Sequence, residues 1–391
     1  MSKFDQIQEI IKKLPVAFGV EEVALEDAYN RILRENVVAD MDMPPFHKSA
    51  MDGYACRLED IENSLEVLEV IQAGSFPKII PGKNQCVKIM TGAAVPNGCD
   101  CVFKVEDSEE VDSKHVKCTN PKTAKNICYQ GEDYQKNEVL IEEGTIINTP
   151  QMAVLAGAGY SRVKVTKQPL ISVIATGSEL VEPARTPKPG QIRNSNTSQL
   201  VSQLRQMNLR VVDKLMLADD FELLTATFLK ALINSDFVIF TGGASVGDFD
   251  FIPEILKEQE FKFYWDNTGI KPGNPMTFSE KKGKYVIGLS GNPVSSLAQF
   301  EMIAKPAIYQ LMGANYSPLR ILGAMAFDFT RKKADRIAVI PVIIDSEGLI
   351  SEIPFHGSAH INALVSANAL LEVPLNINTI KKGDNAHVRP L

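Results

Sequence analysis

Between residues 168 and 316 the chain alternates two textures, and this alternation restricts its fold more than any other feature. The runs "PLISVIA" (169–175), "LRVVDKLML" (209–217), "DFVIFT" (236–241) and "YVIGL" (285–289) are apolar and β-branched, as expected of strands covered on both faces. Between them lie helical patterns: "NTSQLVSQLRQM" (196–207), "FELLTATFLKAL" (221–232) and "PVSSLAQFEMIAKPAIYQLM" (293–312). Strands alternating with helices are joined by crossovers, so this stretch is expected to form a doubly wound, mostly parallel α/β sheet.

In such a sheet, ligands bind beyond the carboxyl ends of the strands. The first run ends in "TGSEL", which supplies Thr176, Gly177 and Glu179. The second ends in "ADD", with Asp219 and Asp220, and the third in "TGGASVGDFD", with Gly242, Gly243, Ser245, Asp248 and Asp250. The fourth ends in "SGNPVSS", where Gly291 and Asn292 precede a helix with Pro293 in its first turn. A helix start of that kind offers backbone N–H groups to an anion. Gly242 and Gly243, lacking Cβ atoms, are expected to clear space for a ligand.

Any one of these acids alone would read as a helix cap, and Asp250 could cap the helix after it. Together they raise a conflict, since Glu179, Asp219 and Asp250 would repel an anion held at the same edge. Two like charges at about 4 Å cost about 4 kcal/mol at an effective dielectric near 20. A hard divalent cation resolves it, and Mg²⁺ on Glu179, Asp219 and Asp250, sharing positions with substrate oxygens, is the expected metal. Further contacts to an anion are expected from Lys271 in "GIKPGNP", and from Arg193 and Asn196 in "PGQIRNSN".

The remainder of the chain reads differently. "KFDQIQEIIKKL" is an amphipathic helix, "LEDAYNRILREN" (25–36) reads as a second with Ala28, Ile32 and Leu33 inward, and "TPQMAVLAGAG" (149–159) as a third that completes a bundle. Short apolar runs between Gly/Pro/Asn turns suggest an inserted β domain, and a similar rhythm after 317 suggests a C-terminal β unit. The expected domains are therefore 1–43 with 140–167, 44–139, 168–316 and 317–391.

The net charge of −7 excludes a global basic field for nucleic acid. No run resembles a signal peptide or membrane span. The six cysteines lack paired zinc-site spacing and read as reduced thiols, which points to the cytoplasm. His356 and His360 in "PFHGSAH" have no acidic partner in sequence, so a metal role is not expected of them.

The motifs "PPFHKSAMDGYA", "IMTGAAVP", "GED", "TGSEL", "PGQIRNSN", "TGGASVGDFDF", "IKPGNPMTF" and "GNPVSS", in this order, resemble the MoeA family of molybdopterin molybdenumtransferases, relatives of the C-terminal part of gephyrin. The resemblance spans nearly the whole chain. It implies a segmented helical domain, an inserted β domain, the α/β molybdopterin-binding domain and a C-terminal β-barrel. It also implies the last step of molybdenum cofactor assembly: molybdate enters adenylylated molybdopterin (molybdopterin-AMP) and AMP leaves, with Mg²⁺ required.

By the same resemblance, catalytic acids fall on Asp52, Asp133, Glu179, Asp219 and Asp250, and further site positions on Thr91, Lys271 and Ser358. It implies a homodimer whose sites lie between subunits, with molybdopterin adenylyltransferase and apo-molybdoenzymes as further partners. The chain departs from the family at Asn274 (lysine is usual), Ser290 (proline) and Asn194 (an acid). Adenylyltransferases of the pathway generally show "TGGTG" in place of "TGGAS" and lack flanking domains; a non-catalytic scaffold would call for an extra partner domain. A nucleotide pyrophosphatase is a further alternative.

Overall fold

The four apolar runs become the strands Leu170–Thr176, Arg210–Leu217, Phe237–Thr241 and Lys284–Leu289 of a computed structural model, which describes residues 1–391 except 124, 244–249 and 356. In space the order is Arg210–Leu217, Leu170–Thr176, Phe237–Thr241, Lys284–Leu289, then Pro275–Lys281 and Lys262–Asn267. The first four are parallel, and the last two extend the sheet antiparallel. Winding reverses between Leu170–Thr176 and Phe237–Thr241, which opens a crevice beyond their carboxyl ends.

Side chains alternate between the two faces, as strand geometry requires. Ile171, Val173, Ile239 and Ile287 pack with Leu200, Leu204 and Phe300 on one face. Ile174, Val238, Phe240 and Val286 pack with Leu224, Phe228 and Ile252 on the other. Full burial of such a side chain contributes roughly 1.5–3 kcal/mol of transfer free energy.

The expected 293–312 helix is present, but in three parts: α-helical Pro293–Gln299, a π-helical turn Phe300–Ala304, and α-helical Lys305–Leu311. The wide turn lies just before Pro306, whose missing N–H and bulky ring disturb regular helical bonding.

The chain divides into two compact units. Met1–Glu35, Glu143–Thr149 and Arg162–Leu391 form the first, and Asn36–Glu142 with Pro150–Ser161 the second. Within the first, Ile321–Met325, Ile337–Ile344, Leu349–Glu352, Ala369–Val373 and Asn385–Pro390 close into a five-stranded barrel, because Ile337–Ile344 pairs with both Leu349–Glu352 and Ala369–Val373. Ile270–Lys271 pairs in parallel with Ile337 and Ala338 at the start of that barrel strand.

The N-terminal helix Lys3–Lys12 is fixed by a capping box between Ser2 and Asp5, and it packs against Lys305–Leu311. The second expected helix is absent. Leu25–Asp27 makes one 3-10 turn, Asn30 turns left-handed at φ 56°, and Ile32 and Leu33 bridge to Ile146 and Val165. The inward residues Ala28, Ile32 and Leu33 are buried as expected, but Ala28 only closes the 3-10 turn, and Ile32 and Leu33 sit in bridges rather than in a helix. The bundle expected of the N-terminal helices is accordingly not formed within either unit. The third expected helix exists as Thr149–Gly157, and its residues from Pro150 onward belong to the second unit.

The second unit carries a six-stranded sheet in the order Cys101–Lys104, Gly53–Cys56, Gln85–Ile89, Ser64–Ile71, His115–Cys118, Ser108–Glu110. Cys56, Cys86, Cys101 and Cys118 are free thiols packed in its core with Tyr54, Leu65 and Phe103. Burial pushes the Cys86 thiol up to about 12, so it stays protonated and unreactive near neutral pH.

Candidate functional site

At the crevice, the loops after the first and third strands press together. A Cβ on Gly242 would sit 2.3 Å from the Thr176 carbonyl oxygen, and one on Gly243 would sit 2.7 Å from the Thr176 hydroxyl. Both residues also have positive φ, 90° and 59°. Gly242 is therefore required by the close approach of two backbones and Gly243 by the Thr176 side chain, and both also line the cleft. Gly291 continues the contact, with Gly242 Cα 3.5 Å from where its Cβ would lie.

Beyond these loops opens a cleft of about 640 Å³. It brings together Thr176, Gly177, Glu179, Asp219, Gly242, Gly243, Asp250, Lys271, Gly291, Asn292 and Ser358, all expected from sequence. Glu179 folds back over Gly177, its carboxylate oxygens 2.8 and 2.9 Å from the position of a Gly177 Cβ. The Asp219 carboxylate accepts the Ser178 N–H at 3.0 Å, while Asp220 turns away to cap the helix Phe221–Asn234 through the Leu223 N–H at 2.8 Å. The helix after Asp250 starts at Ile252 with Phe251 at its N-cap position, so Asp250 stands one residue before the cap.

Other expected residues serve nearby without lining the cleft. Asn196 is buried and donates to the Thr241 hydroxyl at 2.8 Å and the Gly291 carbonyl at 2.9 Å, bracing two strand ends. Arg193 sits on the short ribbon that pairs Leu180–Val181 with Ile192–Arg193, and its guanidinium donates to the Arg185 carbonyl at 3.1 Å. Pro293 opens its helix as expected. Two amides of that helix start are already engaged: Val294 N–H donates to the Ser358 carbonyl at 3.0 Å and Asn292 N–H to the Ser290 hydroxyl at 3.2 Å. Ser245 and Asp248 lie outside the described residues, as does His356.

Asp52, Thr91 and Asp133 belong to the second unit. One Asp52 carboxylate oxygen accepts both the N–H and the hydroxyl of Thr91, each at 2.7 Å. These bonds, the backbone one first, hold the Asp52 carboxyl below its ordinary range. The neighbouring Gly53 is forced by packing, since its Cβ would stand 1.9 Å from the Phe103 carbonyl oxygen. Asp133 is exposed and held through its N–H to the Met43 carbonyl at 3.0 Å.

The departures from the family have local uses. Asn274 accepts the Gly269 N–H at 3.0 Å, which a lysine could not do. Asn194 exchanges hydrogen bonds with Thr197, at 2.9 and 3.2 Å, before the helix Asn196–Gln206. Ser290 donates its N–H to the Gln299 side chain at 2.8 Å, a bond that proline cannot make.

Sequence reasoning missed Arg336, which reaches the cleft because Ile270–Lys271 pairs with the barrel strand beginning at Ile337. No local motif marks it. Its Nε is buried and makes no hydrogen bond among the described residues, with the Asp335 carboxylate 3.8 Å away as an ion-pair partner, and the Thr176 hydroxyl and Asn196 Oδ1 are buried without a hydrogen bond among those residues. The two atoms without a partner among the described residues, Thr176 Oγ1 and Asn196 Oδ1, are open to completion by a ligand or water.

Among the described residues, no three carboxylates, imidazoles or thiols converge as a metal cage. Glu179, Asp219 and Asp250 thus line one cleft without forming a ready-made three-ligand centre. Their hard oxygen donors fit a shared site, in which Mg²⁺ takes one or two carboxylates and fills its other positions from substrate oxygens and water. A larger cleft of about 860 Å³ lies between the N-terminal helix and the barrel. Two of its cations, Arg320 and Arg389, are both engaged on Glu372 at 3.0 and 3.3 Å.

Comparison with known proteins agrees with this geometry. The MoeA N-terminal region (domain I and II) matches residues 2–159, a probable molybdopterin binding domain 172–310, and the MoeA C-terminal region (domain IV) 323–391. A molybdopterin molybdenumtransferase of Staphylococcus epidermidis is 35% identical over 373 residues, covering 93% of this chain and 89% of that protein. One from Staphylococcus aureus is 34% identical over 377 residues, covering 94% and 90%. The crystal structure of a molybdopterin biosynthesis MoeA protein from Pyrococcus horikoshii superposes with a TM-score of 0.84 at 27% identity, covering 100% of both chains.

Proposed function

The chain belongs to the MoeA family, and we infer that it acts as a molybdopterin molybdenumtransferase, inserting molybdenum into molybdopterin during molybdenum cofactor biosynthesis. The finer reading is that molybdate enters adenylylated molybdopterin and AMP is released with Mg²⁺ required. One observation carries it: acids from three strand ends and cations from two further segments share a single cleft at the switch point of the sheet.

In this reading Lys271 and Arg336 hold oxyanions, the compact point charge of the lysine complementing the planar fork of the arginine. Lys271 is exposed and has no ion-pair partner among the described residues, so its charge is available to a ligand. Glu179, Asp219 and Asp250 offer oxygens of which one or two would hold Mg²⁺ jointly with phosphate oxygens. When bound, the metal supplies Lewis acidity that stabilises charge as the link to AMP breaks. The buried hydroxyl of Thr176, with no partner among the described residues, is free to bond a ligand oxygen. A homodimer, with Asp52, Thr91 and Asp133 completing the site of another copy, belongs to the same proposal.

The test is incubation of the purified protein with adenylylated molybdopterin, with and without molybdate and Mg²⁺. AMP release that needs both supports the reading. Release without molybdate identifies a pyrophosphatase, ATP consumption an adenylyltransferase, and no release a scaffold.

A further inference from the structure

Lys271 and the Ser290–Pro293 turn reach the cleft on separate loops, and something must set the distance between them. The lysine loop is closed on itself: the Thr268 hydroxyl donates to the Gly273 carbonyl at 2.7 Å, and Gly269 N–H to Asn274 at 3.0 Å. That makes the loop a small rigid piece, without fixing where it lies. Its outer side is pinned by parallel pairing of Ile270 and Lys271 with Ile337 and Ala338. Its inner side meets Gln299.

Gln299 is fully buried at the end of the helix Pro293–Gln299. Its side-chain carbonyl accepts the Ser290 N–H at 2.8 Å, and its side-chain NH₂ donates to the carbonyls of Gly273 at 2.9 Å and Pro275 at 2.5 Å. All three partners are backbone groups of residues that line the cleft. The stem of Gln299 fills the place of a missing side chain, since a Gly273 Cβ would lie 2.9 Å from Gln299 Cγ. Gly273 also has a φ of 98°, a conformation few other residues adopt. One amide therefore reads both loops at once.

We propose that Gln299 is a positioning residue: its carboxamide locks the Lys271–Pro275 loop against the Ser290–Pro293 turn, setting the spacing at which the cleft grips an oxyanion-bearing substrate. It touches no substrate itself. The inference rests on the proposed function for the nature of the ligand, and on geometry alone for the link. Ser290 is integral to it, because the bond to Gln299 needs a backbone N–H.

The experiment measures binding of molybdate and of AMP by calorimetry, with KM, kcat and thermal unfolding, for the full-length protein and four variants. Gln299→Met keeps the length and removes all three bonds. Gln299→Glu keeps the acceptor for Ser290 and loses both donations. Ser290→Pro removes the N–H donated to Gln299 together with the hydroxyl that accepts the Asn292 N–H, and the fourth variant combines Ser290→Pro with Gln299→Met. Misplacement of a holding group by about 1 Å can cost up to about a hundredfold in rate.

Both Gln299 variants are expected to bind roughly tenfold more weakly and to raise KM more than they lower kcat, alongside a loss of unfolding stability from the backbone groups left unpaired. Ser290→Pro should weaken binding less, and should add less in the Gln299→Met background than it costs alone, since the bond to Gln299 is already gone and only the hydroxyl's contact with Asn292 remains to lose. If Gln299→Met fails to fold, Ser290→Pro and Gln299→Glu carry the test. Wild-type affinity in folded Gln299→Met and Gln299→Glu, or strictly additive losses, would overturn the positioning role while leaving the proposed function intact. Wild-type protein that binds neither molybdate nor AMP would overturn both.

Discussion

A Cβ on Gly242 would collide with a strand-end carbonyl at 2.3 Å, whereas one on Gly291 would make an ordinary contact at 3.5 Å. Gly242→Ala is thus expected to destabilise the protein by about 2 kcal/mol or more, and Gly291→Ala by less than about 1 kcal/mol, as read by denaturant unfolding. Similar losses would show that the two loops do not meet as described. Asp52 invites a pH measurement. Its folded carboxyl is held below the ordinary range by Thr91, so the contact stabilises the fold above the ordinary carboxylate pKa, and that contribution is lost as pH falls through the lowered value. NMR titration of Asp52 should give a midpoint below about 3.9, moving upward in Thr91→Val; an unmoved, ordinary midpoint would remove the hydrogen bonds. At this scale the acids were legible because each follows an apolar strand in sequence. Arg336 and Gln299 were not, because each reaches the cleft through pairing or packing with residues distant in the chain.

Among elements, the parallel strands were the most readable, since Phe237–Thr241 is buried at every position and apolar up to Thr241, whose hydroxyl is hydrogen-bonded. The segment 25–36 misled for the converse reason. Its apolar spacing suits a helix, but tertiary pairing with Ile146 and Val165 holds it extended, and Asn30 turns the chain out of helical space. Adjacent acids at the end of the second strand test how closely element boundaries separate roles. Asp220→Ala should cost about 1 kcal/mol by uncapping the helix Phe221–Asn234 and spare molybdenum insertion. Asp219→Asn should do the reverse, with near-normal unfolding and greatly reduced AMP release. Equal activity in both variants would take Asp219 out of the site.

For the whole molecule, the proposed homodimer makes a claim that no single-chain property can mimic. If Asp52 of one copy completes a cleft built around Asp250 of another, two inactive variants should rescue each other. Random re-pairing of Asp52→Ala with Asp250→Asn would restore about a quarter of the sites. No recovery after demonstrated subunit exchange would place both acids in separate roles. No helix among the described residues is long and apolar enough to cross a membrane, which agrees with the absence of an apolar span in the sequence. The α/β sheet was legible from the change of texture along the chain, whereas the closure of the barrel depends on which strands pair. The most direct test is to soak crystals with AMP and Mn²⁺ and locate the metal by its anomalous signal. The expected map places Mn²⁺ in the strand-end cleft, bound to an AMP phosphate oxygen and to at least one of Glu179, Asp219 and Asp250. Nucleotide and metal bound together away from those carboxylates would contradict the account.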